Sequence, residues 1–443
     1  MNKWIAASHP LNQHPNKKWI YYLSRQFDVT PILIYNLYIQ GFTNTDQLEK
    51  YFHPNISHLH DPFLMNEMDQ AVKRIMKAIT NKEKIVIFGD YDCDGITASS
   101  LLFATLKKLG AYVYTYLPLR KNGYGLSVAF IQRLRDDIGL IITVDNGSSA
   151  YPAVNLAKER NIDVIVTDHH EVLGARPNCY SFINPKRKDN SYPFSNLSGA
   201  GVALKLIQAI LQKANIPWEK YAFEHLEIAA LGTIADLMPL CGENRTICSL
   251  GLRKMNYNPH YLLKMLFDLL KIKKIDSNIL SFQIVPIFNA IGRIGDPNIA
   301  ANMLKQSGAT IQDVKKLISI NQQRKVLTKN QFLIAQQQIQ KFKYHLDKVI
   351  VLYGNYHCGL IGLLASRIAS FYKKPTIVIS QKGVGSARNV NGTSFPIIKV
   401  IDECKSYLNR HGGHTYAAGF SIKSELLHIE EFRKAIQIAA MQQ

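Results

Sequence analysis

The chain has 443 residues, 47% apolar and 19% charged, which is ample for several domains and too apolar for a disordered polypeptide. No apolar run approaches the ~18 residues of a spanning helix, and the opening MNKWIAASHPLNQHPNKK lacks a signal-peptide core, so a soluble, cytoplasmic protein without membrane contact is expected. The 53 Lys and Arg against 33 Asp and Glu leave +20, which favours a polyanion such as nucleic acid, although a lysine-rich composition alone gives the same excess; the six cysteines form no CxxC pair and read as reduced thiols.

In chain order, residues 1–70 contain LSRQFDVTPILIYNLYIQGF and DQLEKYF, which predict short helices packed on the domain that follows. Between 84 and 170, KIVIF (84–88), YVYTYL (112–117), LIITV (140–144) and DVIVT (163–167) read as strands. They alternate with the helical TASSLLFATLKKLG, LSVAFIQRLRDD and SSAYPAVNLAKERN, and strand spacings of roughly 25 residues suit βαβ crossovers. The fold class is therefore α/β, a doubly wound and mainly parallel sheet. GVALKLIQAILQKA (201–214) and HLEIAALGTIADL (225–237) extend this domain as helices over 71–240. A helical connector is predicted over 241–345, with one long helix in NQQRKVLTKNQFLIAQQQIQKF (321–342). A smaller α/β domain restarts at 346–443 through KVIVLYG, IGLLASRIASFY and PTIVIS, ending in the glycine-rich RHGGHTYAAGFSI.

The acidic residues fall where such a sheet binds ligands. GDYDCDG (89–95) follows the first strand, VDNG (144–147) the third and TDHH (167–170) the fourth, all at carboxyl ends that converge on one crevice. Asp236 in GTIADLMPL lies in an apolar stretch, where a buried carboxylate must be paired or bound to metal. Asp92, Asp94, Asp145, Asp168 and Asp236 could not all stay ionised together without cations. Oxygen donors with the imidazoles of His169 and His170 suit two ions of Mn²⁺ or Mg²⁺, and a two-metal centre is the machinery of phosphodiester hydrolysis.

These segments resemble, in order, the four motifs of the DHH phosphoesterase superfamily. NAIGRIG (289–295), YHCGLIGLLASR (356–367), GSARN (385–389) and HGGHTYAAGF (411–420) are similar to the connecting region and DHHA1 domain of RecJ-type single-strand exonucleases. The resemblance implies Asp92, Asp94, Asp145, His169, His170 and Asp236 as metal ligands, with Asp90 and Asp168 in supporting roles and Asp145 bridging both ions. Asp145, His169, His170 and Asp168 form the implied catalytic set. It further implies that Arg120, Arg293, Ser386 and Arg388 hold a 5' terminal phosphate, with His357, His411 and His414 also meeting substrate. Tyr356 stands where the family usually has tryptophan and is expected to keep a stacking face.

The implied activity is 5'-to-3' hydrolysis of single-stranded DNA to 5'-mononucleotides, in recombination and repair. RecJ proteins commonly continue into an OB-fold, and no further β-rich segment follows HGGHTYAAGF here. A truncation, a minimal natural form, or a partner such as a single-strand-binding protein or a helicase supplying the grip would each account for this. Two rival readings stand beside this one: a DHH/DHHA1 phosphodiesterase of short oligonucleotides or cyclic dinucleotides, and an inactive RecJ-like scaffold.

Overall fold

The computed structural model describes residues 16–443 apart from 173, 306–308, 391, 394 and 424–428, so the first fifteen residues of the predicted N-terminal segment lie outside it. Two compact units emerge: Met1–Leu117, Tyr124–Val285 and Asn298–Ala309 form the first, and Pro118–Gly123, Pro286–Pro297 and Thr310–Gln443 the second. The residues predicted as a connector, 241–345, are thus divided between the two units.

The first unit holds five strands: β1 (Lys84–Phe88), β2 (Tyr112–Tyr116), β3 (Ile138–Val144), β4 (Asp163–Thr167) and β5 (Ser181–Ile183). Their order is β2-β1-β3-β4-β5, and every pair is parallel. Such strands are covered on both faces and read as continuous apolar runs. Val86, Phe88, Ile141, Val164, Val166 and Phe182 bury one face against Phe130, Ile131, Ala153, Val154 and Ala157 of helices Val128–Arg133 and Tyr151–Glu159. The alternate residues Ile85, Ile87, Leu140, Ile142 and Ile165 are fully buried on the other face, where helices Cys93–Lys108 and Gly199–Lys213 pack. The doubly wound expectation is met.

Three details differ from the sequence reading. β3 starts two residues earlier than LIITV, at Ile138, because that residue still pairs with Lys84 of β1. β5 has no counterpart among the predicted strands, since three residues carry no periodicity. LSVAFIQRLRDD yields only the six-residue helix Val128–Arg133, which Ser127 caps through its side chain. The chain leaves β1 for β2 on one side and returns to β3 on the other, so the carboxyl ends of β1 and β3 diverge into a crevice.

The N-terminal helices Lys17–Gln26, Pro31–Ile39 and Thr45–Phe52 have a core of their own in Ile20, Leu23, Ile34, Leu37 and Leu48. Arg245 ties them to the rest of the unit, donating from Nε to the Tyr51 carbonyl (3.1 Å) with its guanidinium 4.2 Å from the Tyr51 ring centre.

The second unit contains a mixed sheet of β6 (Ile350–Gly354), β7 (Thr376–Ser380), β8 (Val384–Arg388), β9 (Leu408–His414) and β10 (Ala417–Ile422), in the order β6-β7-β8-β10-β9. Only β6 and β7 are parallel, and the glycine-rich HGGHTYAAGF is the hairpin of β9 and β10. One face packs Ile377, Ile379, Ala387 and Phe420 against Val400, Phe432 and Ile436. The other packs Ile350, Leu352 and Val378 against Leu364 and Ile368 of helix Ile361–Tyr372 and Phe332, Ala335 and Ile339 of the long helix. That helix runs Ile311–Lys341, ten residues longer at its start than predicted, because Thr310 and Asp313 form a capping box. No helix among the described residues is long and apolar enough to cross a membrane.

Candidate active site

Strand ends deliver the acids, and local caps aim them. After β1, Asp92 Oδ1 accepts from the backbone N–H groups of Asp94 (3.0 Å) and Gly95 (3.1 Å), capping the helix Cys93–Lys108. Asp94 therefore sits in the first helical turn, 2% exposed. Its two oxygens accept from the N–H groups of Gly199 (2.6 Å) and Ala200 (2.9 Å), at the N-terminus of helix Gly199–Lys213. The positive end of that helix favours a carboxylate there.

Asp145 follows β3 at φ 63°, a left-handed conformation that aspartate adopts more readily than most non-glycine residues and that turns the chain sharply at the strand end. Its Oδ1 lies 3.0 Å from His169 Nε2, and the same nitrogen is 3.5 Å from Asp236 Oδ2 and 3.9 Å from Asp94 Oδ2. Asp236 ends the helix Trp218–Ala235 and is half-buried rather than enclosed as its apolar surroundings in sequence suggested. Asp145 Oδ1 and both ring nitrogens of His169 are buried without a hydrogen bond, so polar atoms that need a partner converge here.

The electrostatics tell the same story. Burial, then the charge of Asp236, pushes Asp94 up to about 7. Burial and then Asp92 push Asp236 up to about 6. Burial and then Asp94 raise Asp145 well above the carboxylate range, while burial lowers His169 and keeps it neutral. A neutral imidazole among self-repelling carboxylates is a cation site. Among the described residues the potential ligand atoms fall into three overlapping groups, Asp145–His169–His170, Asp94–His169–Asp236 and Asp90–Asp92–Asp145, with the atoms of each group within 4.8 Å of one another. Asp145 and His169 each belong to two groups, which fits a pair of hard divalent cations such as Mn²⁺ or Mg²⁺. Cys93 lies between Asp92 and Asp94, but burial pushes its thiol well up, so it stays protonated and outside the donor set.

Asp168 has a different task. Its Oδ2 accepts from the Ser148 N–H (2.9 Å), and its Oδ1 from the N–H groups of His169 (2.8 Å) and His170 (3.2 Å) and from His170 Nδ1 (2.8 Å). With both oxygens engaged it orients the His170 ring through Nδ1, with Nε2 on the ring's other side. Burial opposes the charge of His170, but the hydrogen bond to Asp168 wins and raises it to about 9.

Two contributors escaped the sequence reading. Asn184, just past β5, donates from Nδ2 to Ser148 Oγ (3.0 Å) and to the His170 carbonyl (2.9 Å), pinning the turn that carries the histidines. Finding it required recognising β5. The Tyr124 hydroxyl lies 3.3 Å from the Asp145 carbonyl oxygen and 3.4 Å from the His170 ring nitrogens.

Glycines set how closely the helices approach. A Cβ on Gly199 would lie 2.5 Å from Asp145 Cβ and 2.6 Å from its Oδ1, and one on Gly232 would lie 2.5 Å from Asp94 Oδ1. Gly199→Ala should therefore displace Asp145 and weaken Mn²⁺ binding about 10- to 100-fold, the range for lost support of a ligand. Calorimetric titration with Mn²⁺, beside circular dichroism to confirm folding, measures this; unchanged affinity would show that Asp145 is not held against the helix.

A pH effect follows as well. The Asp236 carboxyl titrates at about 6 in the folded chain and at ~3.9 unfolded. The folded state thus binds the proton more tightly, and stability falls as pH rises through that interval. In EDTA, the stability of the unsubstituted chain relative to Asp236→Asn should drop between pH 4 and 6 in urea titrations. The difference cancels the opposite titration of His225 and His260, which burial lowers to about 4. A flat difference would mean that neither burial nor Asp92 raises the Asp236 carboxyl.

The second unit gathers the predicted phosphate residues. Arg388 Nη1 donates to Ser386 Oγ (2.9 Å) and to the Ala387 carbonyl (2.8 Å). A Cβ on Gly362, in helix Ile361–Tyr372, would lie 3.0 Å from Arg388 Nη2 and 3.3 Å from Ser386 Oγ. At Gly359 a Cβ would lie 2.0 Å from the Arg293 carbonyl oxygen, and Arg293 Nη1 donates back to the Gly359 carbonyl (3.4 Å). Burial and then the charge of Arg120 lower Arg388; burial, then Lys382 and Arg120, lower His357. Mutually repelling cations around a serine suit a phosphate.

Two further residues, His414 and His411, are placed by the sheet. β8 pairs Arg388 with Ala417 and Ser386 with Gly419, and β10 pairs Ala417 with His414, so Ser386, Arg388 and His414 share one face. His411 pairs with Phe420 on the core-facing side, and its Nε2 lies 2.8 Å from Asp402 Oδ1. His411 is thus turned away from Ser386 and Arg388, contrary to expectation. Tyr356 is 4% exposed and donates its hydroxyl to Gln338 Oε1 (2.7 Å), so it packs in the core rather than offering a stacking face.

With this geometry in place, residues 84–233 match the DHH family, N-terminal domain, and residues 346–441 the DHHA1 domain. The single-stranded-DNA-specific exonuclease RecJ of Dickeya dadantii is 31% identical over 92% of this chain and 74% of its own length. The chain belongs to the RecJ family. The Bacillus subtilis RecJ is 34% identical over 93% of this chain, which spans 53% of that relative. Among solved structures, an exonuclease RecJ bound to manganese superposes with TM-score 0.75 at 27% identity, covering 88% of this chain and 97% of its own. The Thermus thermophilus RecJ in complex with Mn²⁺ gives 0.81 at 25% identity, covering 97% of this chain and 62% of its own. Both RecJ structures hold the kind of hard cation that the donor set favours.

Proposed function

We propose that the chain is a divalent-metal-dependent exonuclease that shortens single-stranded DNA from its 5' end and releases 5'-mononucleotides. The observation that carries this reading is the convergence of Asp94, Asp145, Asp236 and His169, with the Asp145 and His169 donor atoms buried and lacking hydrogen bonds. Asp90, Asp92 and His170 complete the holding set. A pair of divalent ions held by these residues would lower the pKa of water and offset charge on the phosphate as water adds to phosphorus and the 3' oxygen leaves.

The protein's own groups do the positioning. Backbone amides at the helix start fix Asp94, and Asp168 fixes the His170 ring. Arg388, Ser386, Arg293 and Arg120 grip a terminal phosphate, which gives the direction of attack. His357 and His414 lie beside this cation cluster or on its sheet face and serve the nucleotide that follows. The names of the relatives support the substrate, since they are single-stranded-DNA-specific exonucleases. A single-strand-binding protein or helicase acting beside it belongs to the same proposal.

Strands blocked at either end decide the matter. With Mn²⁺, a 3'-blocked strand should be digested to mononucleotides and a 5'-blocked one should persist. Digestion of the 5'-blocked strand alone would reverse the polarity, and cleavage restricted to dinucleotides would favour an oligonucleotide phosphodiesterase.

A further inference from the structure

The helix Lys17–Gln26 carries a surface that the centre described above does not use. Its sequence, KKWIYYLSRQ, contains three cations and no acid. At 100° per residue, Lys17, Tyr21, Arg25, Lys18, Tyr22 and Gln26 occupy one half of the helix and Trp19, Leu23, Ile20 and Ser24 the other. Burial follows that division: the first six are exposed, while Ile20, Leu23 and Ser24 are buried. Tyr21 is 57% and Tyr22 63% exposed, a large aromatic area for a folded chain to leave in water.

The face is also held firmly. Asn16 caps the helix by accepting from the Lys18 N–H (2.9 Å), and Ile20 and Leu23 anchor it on Ile34, Leu37 and Leu48. Two ridges result, Lys17–Tyr21–Arg25 and Lys18–Tyr22, each setting a ring within one turn of a cation. Alternating cations and π faces match an unpaired polynucleotide, whose phosphates meet the cations while its exposed bases stack. A duplex hides its base faces, so the tyrosines would gain nothing from it. A membrane surface fits less well, because the outward half carries no aliphatic side chain to insert.

We propose that the outward face of helix Lys17–Gln26 is an accessory platform for single-stranded DNA, on which Tyr21 and Tyr22 stack with bases and Lys17, Lys18 and Arg25 contact phosphates. The choice of DNA rests on the function proposed above; the preference for an unpaired polynucleotide rests on the helix. The platform extends the footprint on long strands and plays no part in cleaving a strand too short to reach beyond the metal centre.

The test uses the full chain, with binding of a labelled 40-nucleotide dT strand measured in EDTA, where no cleavage interferes, and cleavage of a hexanucleotide measured with Mn²⁺. Tyr21→Ala/Tyr22→Ala should weaken binding of the long strand about tenfold or more, whereas Tyr21→Phe/Tyr22→Phe, which keeps the stacking faces, should restore it. Lys17→Gln/Lys18→Gln/Arg25→Gln should reduce the slope of log affinity against log salt by about 2. Hexanucleotide cleavage should stay unchanged in every variant. Unaltered long-strand affinity in the alanine pair, or an equal loss in the phenylalanine pair, would overturn the proposal. So would retained strand binding combined with lost adsorption to phosphatidylserine vesicles, which would assign the face to a membrane. If the unsubstituted chain binds and shortens strands while the variants match it, only the platform fails; if it neither binds nor shortens them, the proposed function fails with it.

Discussion

Asp145→Asn should abolish strand cleavage, lowering the rate about a thousandfold or more, and should at the same time raise the melting temperature of the metal-free chain. The two effects share one cause. Asp145 belongs to two of the three ligand groups, so its loss removes a donor from both. Support for a ligand is already worth 10- to 100-fold in metal affinity or activity, and loss of a shared ligand exceeds that. Without metal, burial and then Asp94, Asp92 and Asp90 oppose ionisation of the same carboxylate, so folding near neutral pH costs the uptake of a proton there, and the neutral isostere removes that cost. Manganese should then stabilise the unsubstituted chain and leave the variant's melting temperature nearly unchanged. A variant that melts lower in EDTA and still responds to Mn²⁺ would mean that Asp145 is a structural acid.

Arg388→Ala should erase discrimination between 5'-phosphorylated and 5'-hydroxyl strands while leaving Mn²⁺ binding intact. A hydrogen bond to a charged partner is worth about 1.5–3 kcal/mol, so the preference should fall about 10- to 150-fold. The effect should reside in substrate affinity, because Arg388 belongs to a different compact unit from the carboxylates. Lysine at this position should recover only part of the loss, since it lacks the planar fork. The relative kcat/KM for the two strands reads this directly, and an unchanged ratio would remove Arg388 from the terminal-phosphate site.

Much of the catalytic half is legible in the amino-acid sequence. Parallel strands announce themselves as short β-branched runs, and acids directly after KIVIF, LIITV and DVIVT must lie at the ligand-binding edge whatever the details of packing. Asp236 is legible only as an acid among apolar residues; its approach to His169 depends on helix Trp218–Ala235 packing closely on helices Cys93–Lys108 and Gly199–Lys213, which Gly232 permits. Asn184 is hidden because the three residues of β5 are too few to show a period. The second unit is harder to read. His411 and His414 are three residues apart, so they point to opposite faces of β9, a consequence that appears only once HGGHTYAAGF is known to be extended hairpin rather than turn. Tyr356 invites a stacking role by analogy, and its burial beside the long helix removes that role. Gly359 and Gly362, which let Arg293, Ser386 and Arg388 come together, carry no signal of their own in a helical-looking run.

The most direct test of the metal-centre account is a manganese titration followed by electron paramagnetic resonance, run in parallel with exonuclease rate on a 5'-phosphorylated single strand. The account predicts two Mn²⁺ bound per chain, exonuclease activity that rises only as those sites fill and vanishes in EDTA, and loss of the bound ions together with activity in Asp145→Asn. Full-rate digestion in EDTA, or a manganese stoichiometry that Asp145→Asn leaves untouched, would contradict it.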